Sequence, residues 1–499
     1  MTSPTDSRIR QLGILAVLVL LTETAPLEVS LVYPAARSLA QSFGSAGADA
    51  VTGTVSLAAV VCIPLLGRIA DVVGKKRVLL YSGALFASGS LLCAVAASLP
   101  LLLLGRVLQG AVGGALAVAY AMVRDALPRH RVPVALGIVS SGIGISGITA
   151  PFLGGALVDR YGYHGVFWFL FLLSALVLPL AAVVLPGDQR PNDASAPERP
   201  RLDVPGALLL GLAAAALVSG ISAGVRSGWS SPGFLAALPS AALLAIGFWR
   251  RERSRPDPAI DLGLLTAPAV RGTLLPAVLT TACTSAVAYL LAQLLQTPRH
   301  AGLGYAFGLT ALAAAGWTFT LGLGSLAGGP IGGYLARRSG PRGTALTAQA
   351  LVTVGAFGFA ALPGQRGAIL LISLVFGLGI GLAYVAFANL ITEAVPDERA
   401  ATGTALLAVA NQLGAATGAS VLASVRTLYP VGPTGTLFAG SGYRLAFICA
   451  AAAALLALLT TWRMRHGRAP ATGGAATRRT DLSAAVAAGT KSTIAKEMI

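Results

Sequence analysis

One feature constrains this chain more than any other: a run of apolar residues about as long as a bilayer is thick recurs from one end to the other. A helix crossing a hydrocarbon core of about 30 Å needs roughly 20 such residues. Runs of this kind lie near 12–34, 51–69, 78–97, 100–121, 134–155, 165–185, 204–222, 233–249, 272–295, 306–334, 344–362, 368–391, 401–425 and 443–462. In lipid every backbone polar group must be bonded within the chain, so long apolar runs become helices. The reading is an all-α membrane protein with 14 transmembrane helices. Composition closes the alternatives. Charged residues are 11% of the chain, against roughly 25% in a soluble domain, and mean hydropathy is +0.76. So few charges cannot cover a water-soluble enzyme of this length, and so apolar a chain is not disordered. The 60 glycines follow no three-residue period, which excludes a collagen-like rod. The first apolar run is long and followed by another, so it reads as a retained span, not a cleaved signal.

The formal net charge is +17, which alone could suggest nucleic-acid binding. The placement of the basic residues gives another cause. With the N-terminus inside, the cytoplasmic segments hold 28 Lys and Arg and the outer loops hold 7, at Arg37, Arg160, Arg226, Arg299, Arg366, Arg426 and Arg444. That asymmetry is the positive-inside rule. It predicts a multi-pass protein of the cytoplasmic (cell) membrane with both termini cytoplasmic and no nucleic-acid partner. Two charged, Pro-rich stretches, PGDQRPNDASAPERPRLD (186–203) and WRRERSRPDPAIDL (249–262), read as solvated connectors. They divide the chain into a six-helix bundle at 1–186, a connector with two inserted helices at 187–271, a second six-helix bundle at 272–463, and a disordered tail at 464–499. Cys62, Cys93, Cys283 and Cys449 each sit in an apolar run with no C-x-x-C pair, so they are predicted as packing residues.

The two bundles echo each other. GRIADVVGKKR (67–77) follows span 2 and GYLARRSGPR (333–342) follows span 10. Gly67 matches Gly333, Ala70 matches Ala336, Gly74 matches Gly340 and Lys76 matches Arg342, all at an offset of 266. Pro128 and Pro396 give a weaker echo at 268. Two similar halves are a signature of transporters.

Machinery for covalent catalysis is not visible. Only Lys75 of the four lysines follows a glycine, and Lys76 comes next, so the phosphate-loop pattern G-x-x-x-x-G-K-[ST] fails. His130, His164, His300 and His466 lie outside the spans at no metal-ligand spacing. The expectation is a non-enzyme with no cofactor and no metal. What remains is charge inside the membrane, which costs at least about 2.5–3.5 kcal/mol at the bilayer centre and so marks a pathway. Glu23 and Glu28 lie well inside span 1, and Arg106 lies within span 4. The two glutamates point about 140° apart on a helix, unless Pro26 between them opens it. A buried carboxylate can exchange a proton for a cationic ligand, or simply pair with Arg106 and hold helices together. In the loop after span 2, Gly74 allows a tight turn and Asp71 suits a helix N-terminus of the other half. Lys75, Lys76 and Arg77 there also serve as inside anchors. Span 5 reads GIVSSGIGISGITAPFLGG (137–155), where glycines permit close helix approach and Pro151 bends the helix.

These motifs resemble the major facilitator superfamily. GRIADVVGKKR resembles its loop signature through Gly67, Asp71, Gly74, Lys76 and Arg77. LLGRVLQGAVGGA (103–115) resembles its fourth-helix signature, with Arg106, Gln109 and Gly110 in place. Span 5 resembles the antiporter signature at Gly137, Pro151, Gly154 and Gly155, with Ser146 and Ala150 where the family has glycine. Fourteen spans and ANQLGAATG (410–418) make the chain similar to the fourteen-helix drug:proton antiporter group. The resemblance implies two six-helix bundles around a central cavity, with spans 7 and 8 inserted between them. Spans 1, 4, 9 and 12 would line the cavity, placing Glu23, Arg106, Tyr289, Gln293, Tyr384 and Asn389 near substrate. Arg106 would take part in proton transfer and span 5 would favour export. In one respect the chain departs from the family: Ala25 sits at the spacing of the usual first-helix acid, and Glu23 and Glu28 flank it.

The expectation is a proton-coupled efflux transporter for multiple drugs or antibiotics. It would act as a monomer on small amphipathic, cationic or zwitterionic compounds, by alternating access and driven by the proton gradient. The rivals are a dedicated exporter of one natural product, peptide or lipid, a proton-driven importer, and a non-transporting membrane sensor or assembly partner.

Overall fold

In the computed structural model, the structure describes residues 4–115, 118–119, 122–123, 132–187, 203–255, 262–298, 307–361, 365–395, 400–431 and 437–468. The chain is built of helices α1 (Pro4–Val73), α2 (Lys75–Ala94), α3 (Leu99–Gln109), α4 (Val132–Val184), α5 (Val204–Ser227) and α6 (Pro232–Arg253). They continue with α7 (Leu262–Thr266), α8 (Pro268–Gln296), α9 (Ala311–Ala361), α10 (Arg366–Ala394), α11 (Ala400–Thr417) and α12 (Gly440–Arg463). A two-stranded ribbon, Pro430–Val431 with Leu437–Phe438, precedes α12. Among the described residues ten helices are long and apolar enough to cross a membrane, and Leu99–Gly114 is a shorter apolar helix.

Three helices are too long for one crossing. α1 has 70 residues, α4 has 53 and α9 has 51, and at about 1.5 Å per residue each exceeds twice the hydrocarbon thickness. Each contains one glycine that leaves helical geometry: Gly44 (φ 73°), Gly162 (φ 62°) and Gly340 (φ 79°). A left-handed φ strains any residue with a Cβ, so these glycines split each long helix into two arms. Residues 35–50, read from the sequence as an outer connection, are instead helical apart from Gly44. α1 also remains helical through Pro26, so that proline does not open the chain between Glu23 and Glu28.

Each half builds its own core. Leu18, Leu31, Leu39, Phe86 and Phe167 anchor the cluster among α1 to α4. Tyr289, Leu290, Phe359, Phe376 and Phe447 anchor the one among α8, α9, α10 and α12. A small cluster of Ala59, Val60 and Ile63 from α1 with Val409 from α11 joins the halves. The inserted pair sits at the edge of these cores, with Leu210 of α5 packed against the joining cluster and Phe248 of α6 in a further cluster with Val270 and Leu390. α6 leaves Leu235, Leu243 and Ile246 exposed, as a lipid-facing helix does. At its base Asp203 accepts from Gly206 N (3.2 Å) and from Arg251 Nε (2.8 Å). Burial raises the Asp203 carboxyl, but these bonds and the Arg251 and Arg255 charges outweigh it and hold the group below its usual value.

The internal repeat is visible in the backbone. Gly74 (φ 110°) and Gly340 (φ 79°) make equivalent turns. Lys76 Nζ donates to Leu185 O (2.8 Å), past the last helix of the first half, and Arg342 Nη2 donates to Trp462 O (2.6 Å), near the end of the last helix of the second. Both contacts place a cation at a helix C-terminus. The tail expected to be disordered from 464 begins otherwise. Gly467 O accepts from Arg342 N (2.8 Å), and His466 Nε2 lies 3.0 Å from Thr273 Oγ1. Residues 469–499 lie outside the described residues.

Candidate functional site

Backbone contacts between glycines create the centre of the first half. A Cβ on Gly89 would meet Gly105 O at 2.5 Å, and one on Gly110 would collide with Ala58 Cβ. These positions let α3 lie against α2 and the second arm of α1. The approach buries Arg106 completely and Glu28 to 1% exposure. Arg106 Nη1 donates to Glu28 Oε1 and to Gln109 Oε1 (2.8 Å). Arg106 Nε donates to Val51 O (2.8 Å), and Gln109 Nε2 donates onward to Ser90 Oγ (2.8 Å). The guanidinium also lies 5.8 Å from the Phe167 ring centroid. Glu28 is therefore neutralised in place by a cation bonded on several sides.

Glu23 is held differently. Its Oε2 accepts from Ser146 Oγ of α4, and its Oε1 is buried with no partner. No ion pair to Glu23 occurs among the described residues. Ser146, read from the sequence as a departure from the antiporter pattern, is the residue whose hydroxyl meets this carboxylate. The two glutamates contact different helices, as their angular separation on α1 requires.

The remaining predicted residues are dispersed. Gln293 is buried, with Nε2 unpartnered. Tyr384, on α10, is 52% exposed. Asn389 bonds back to its own helix at Val385 O (2.8 Å). Tyr289 is fully buried and donates to Asp49 Oδ1 at 2.7 Å. Of the loop motif, Gly67 has open space around its Cβ position, Lys76 makes the contact given above and Arg77 is exposed. The Asp71 side chain lies outside the described residues. Gly137 and Pro151 sit within α4. A Cβ on Gly154 would meet Leu31 O at 2.9 Å, inside the same half, whereas one on Gly155 would meet Leu312 Cα at 2.6 Å, across the halves.

Sequence reasoning missed Asp49 and placed Arg426 in an outer loop. Both are fully buried. Arg426 Nη2 donates to Asp49 Oδ1 (3.0 Å), and its guanidinium lies over the rings of Tyr289 (5.4 Å) and Phe438 (5.2 Å). The signal available was spacing: Asp49 lies two residues before the second apolar run and Arg426 directly after the thirteenth.

Comparison with known proteins fits this architecture. Residues 14–419 match the profile of the Major Facilitator Superfamily. "Multidrug resistance protein Stp" of Mycobacterium tuberculosis (strain CDC 1551 / Oshkosh) is 30% identical over 410 residues, covering 80% of this chain and 73% of the relative. The "Probable actinorhodin transporter" of Streptomyces coelicolor is 28% identical over 394 residues, covering 75% and 65%. Among solved structures, the peptide transporter POT in complex with sulfate superposes with a TM-score of 0.63 at 17% identity, covering 89% of this chain and 93% of that one. Such low identity speaks to the fold alone. The molecule is a multi-pass helical membrane transporter and not an enzyme, and the chain belongs to the Major Facilitator Superfamily.

Proposed function

We propose that this chain exports small amphipathic, cationic or zwitterionic compounds in exchange for protons, by alternating access. One observation carries the reading: Glu23 is a membrane-buried carboxylate with a hydroxyl partner, an unpartnered oxygen and no described cation beside it. Glu28 is already balanced by Arg106, and Asp49 by Arg426. The unmet negative charge of these three acids thus rests on Glu23, where a proton and a cationic group compete for the same oxygens. Arg106 and Glu28 position the surrounding helices. The names of the relatives, a multidrug resistance protein and a probable actinorhodin transporter, support the cargo class.

The rest of the reading draws on the fold and the sequence for support. Ten long helices, three of them counted twice at their glycine breaks, and the shorter α3 make fourteen spans. Both termini are cytoplasmic in the cell membrane, as the basic residues favour. The bundles occupy 1–186 and 272–463, with the pair at 187–271 between them. Gln293, Tyr384 and Asn389 line the path, the loop from Gly67 to Arg77 tracks the rocking at the inner face, and the protein acts as a monomer without cofactor.

The test is purified protein in liposomes under a pH gradient, with a pH dye inside and a panel of lipophilic cations and antibiotics added. Cargo-driven proton flux in wild type that Glu23→Gln abolishes, and that persists in a folded Glu28→Gln variant, is the expected result. Flux that survives Glu23→Gln overturns the assignment of Glu23. A second reading, a dedicated exporter of one natural product, is favoured by the actinorhodin relative. It predicts flux from a single compound in the panel.

A further inference from the structure

Two carboxylates of the first half reach across to the second at one end of the molecule. Asp49 lies just past the Gly44 break, and Asp159 lies just before the Gly162 break. Asp49 accepts from Tyr289 Oη (2.7 Å) and Arg426 Nη2 (3.0 Å), and its backbone carbonyl accepts from Ser420 Oγ (3.5 Å). Asp159 accepts from Ala311 N (2.8 Å) through Oδ1 and from Leu312 N (2.9 Å) through Oδ2, at the first turn of α9. Gln296 Nε2 adds a contact at the same end, donating to Pro34 O (3.1 Å).

We infer that Asp49 and Asp159 are the two catches of an outer gate, that Arg426 with Tyr289 and the N-terminus of α9 are their strikers, and that the conformation described has this gate shut. The inference rests on the membrane orientation and alternating access proposed above. It extends that reading to residues outside the exchange site.

The chemistry of the catches suits parts that must open. The first four N–H groups of a helix lack partners within it and carry the positive end of its dipole. Asp159 satisfies two of them in α9. Gly155, one turn earlier on the same face of α4, gives the helix end its room, since any Cβ there would strike Leu312. The catch and the clearance are one device. Asp159 is exposed, so water replaces its bonds when the halves part. The Asp49–Arg426 pair is dry when shut, and separating it without water would strand two charges. Opening the outer end admits that water. The second arm of α1 also links the gate to the centre: Arg106 holds Val51 O at 2.8 Å, two residues from Asp49. A change at the Glu28–Arg106 pair therefore acts on the turn that carries the first catch.

The test needs neither cargo nor proton flux, so its failure is distinct from failure of the transport reading. Spin labels are placed at Val95 and Tyr429, exposed residues at this end of the two halves, with the four native cysteines replaced by alanine. Electron–electron distances are then measured in nanodiscs. Wild type is expected to show mainly the short distance. Asp49→Asn combined with Asp159→Asn is expected to raise the ratio of long to short distances about tenfold, of the order that loss of such contacts permits. The exchange Asp49→Arg with Arg426→Asp, which preserves the ion pair but not its direction, is expected to return most of the population to the short distance. Should the double variant aggregate, Asp159→Asn alone is read against Asp159→Glu. Distance distributions that do not move in any folded neutral variant overturn the inference.

Discussion

The two halves share a frame but not a chemistry. Gly74 and Gly340 turn alike, and Lys76 and Arg342 each hold a carbonyl at the end of the last helix of their own half. Within the membrane the likeness stops. The first half buries Glu23, Glu28, Asp49 and Arg106. The second buries a cation, Arg426, but no acid among its described residues, and otherwise joins its helices through neutral groups: Gln349 Nε2 donates to Thr280 Oγ1, and Thr281 Oγ1 donates to Asn411 Oδ1 (3.1 Å). At the offset of 266 that aligns the loops, Glu23 falls opposite Tyr289, a carboxylate against a phenol. Doubling the frame supplies two bodies that can rock. Under the proposed exchange, concentrating the acids in one body would let a single protonation event change the charge facing the other.

The comparison breaks hardest at Arg106. Arg106→Met leaves Glu28 buried beside apolar groups, and loss of one partner of a buried pair costs about 3–5 kcal/mol. Thermal unfolding in detergent is expected to show that loss, and the double variant Arg106→Met with Glu28→Met is expected to recover most of it. Adjacent glycines sharpen the contrast between packing within a half and between halves. Gly154→Val drives a side chain against Leu31 and is expected to cost about 1–3 kcal/mol of stability. Gly155→Val meets Leu312 of the other half, so it is expected to spare the unfolding midpoint and lengthen the distance between labels at Val95 and Tyr429.

Smaller effects follow. Ser146→Ala removes the described hydrogen bond of Glu23, a contact of about 1 kcal/mol. Cargo-driven proton flux is expected to fall severalfold with little change in unfolding. Lys76→Ala and Arg342→Ala remove equivalent contacts from separate bodies. Each is expected to cost about 1 kcal/mol or less, and the two to add within error in calorimetry. His466 marks a difference at the inner end. Burial lowers its imidazole below 6.5, so the neutral form is the docked one. The docking of 464–467 is then complete above pH 6.5 and weakens as pH falls below it, because the released segment binds the proton better. Hydrogen exchange of that segment, corrected for its intrinsic rate, is expected to quicken as pH falls from about 6.5 to about 5.5.

Much of the frame was legible because it obeys one-dimensional rules. Bilayer thickness sets run length, and duplication leaves an offset, so the apolar runs and the paired loops could be read directly. Glu23, Glu28 and Arg106 stood out because charge in an apolar run is costly. What pairs with what was not legible. Asp49 and Arg426 stand 377 residues apart, and each lies just outside an apolar run, where a charge looks solvated. Residues 35–50 looked like a connection because Arg37 and Gly44 interrupt the run, yet they are helical apart from Gly44, and Asp49 beyond the break is buried. Ser146 looked like a lost glycine, since a pattern records close packing and not the carboxylate across from it.

The pairing of charges in the membrane also decides what the carrier feels. With Glu28 and Asp49 each matched by an arginine, the exchange proposed for Glu23 would give the moving site one negative charge, loaded alternately with a proton and a monovalent cation. Such a cycle moves no net charge across the bilayer. It would run on the pH difference and ignore the voltage, although a single uncompensated charge would be worth about 2.3 kcal/mol per 100 mV. A zwitterionic cargo would leave the returning proton uncompensated, and the same protein would become a device that the membrane potential drives.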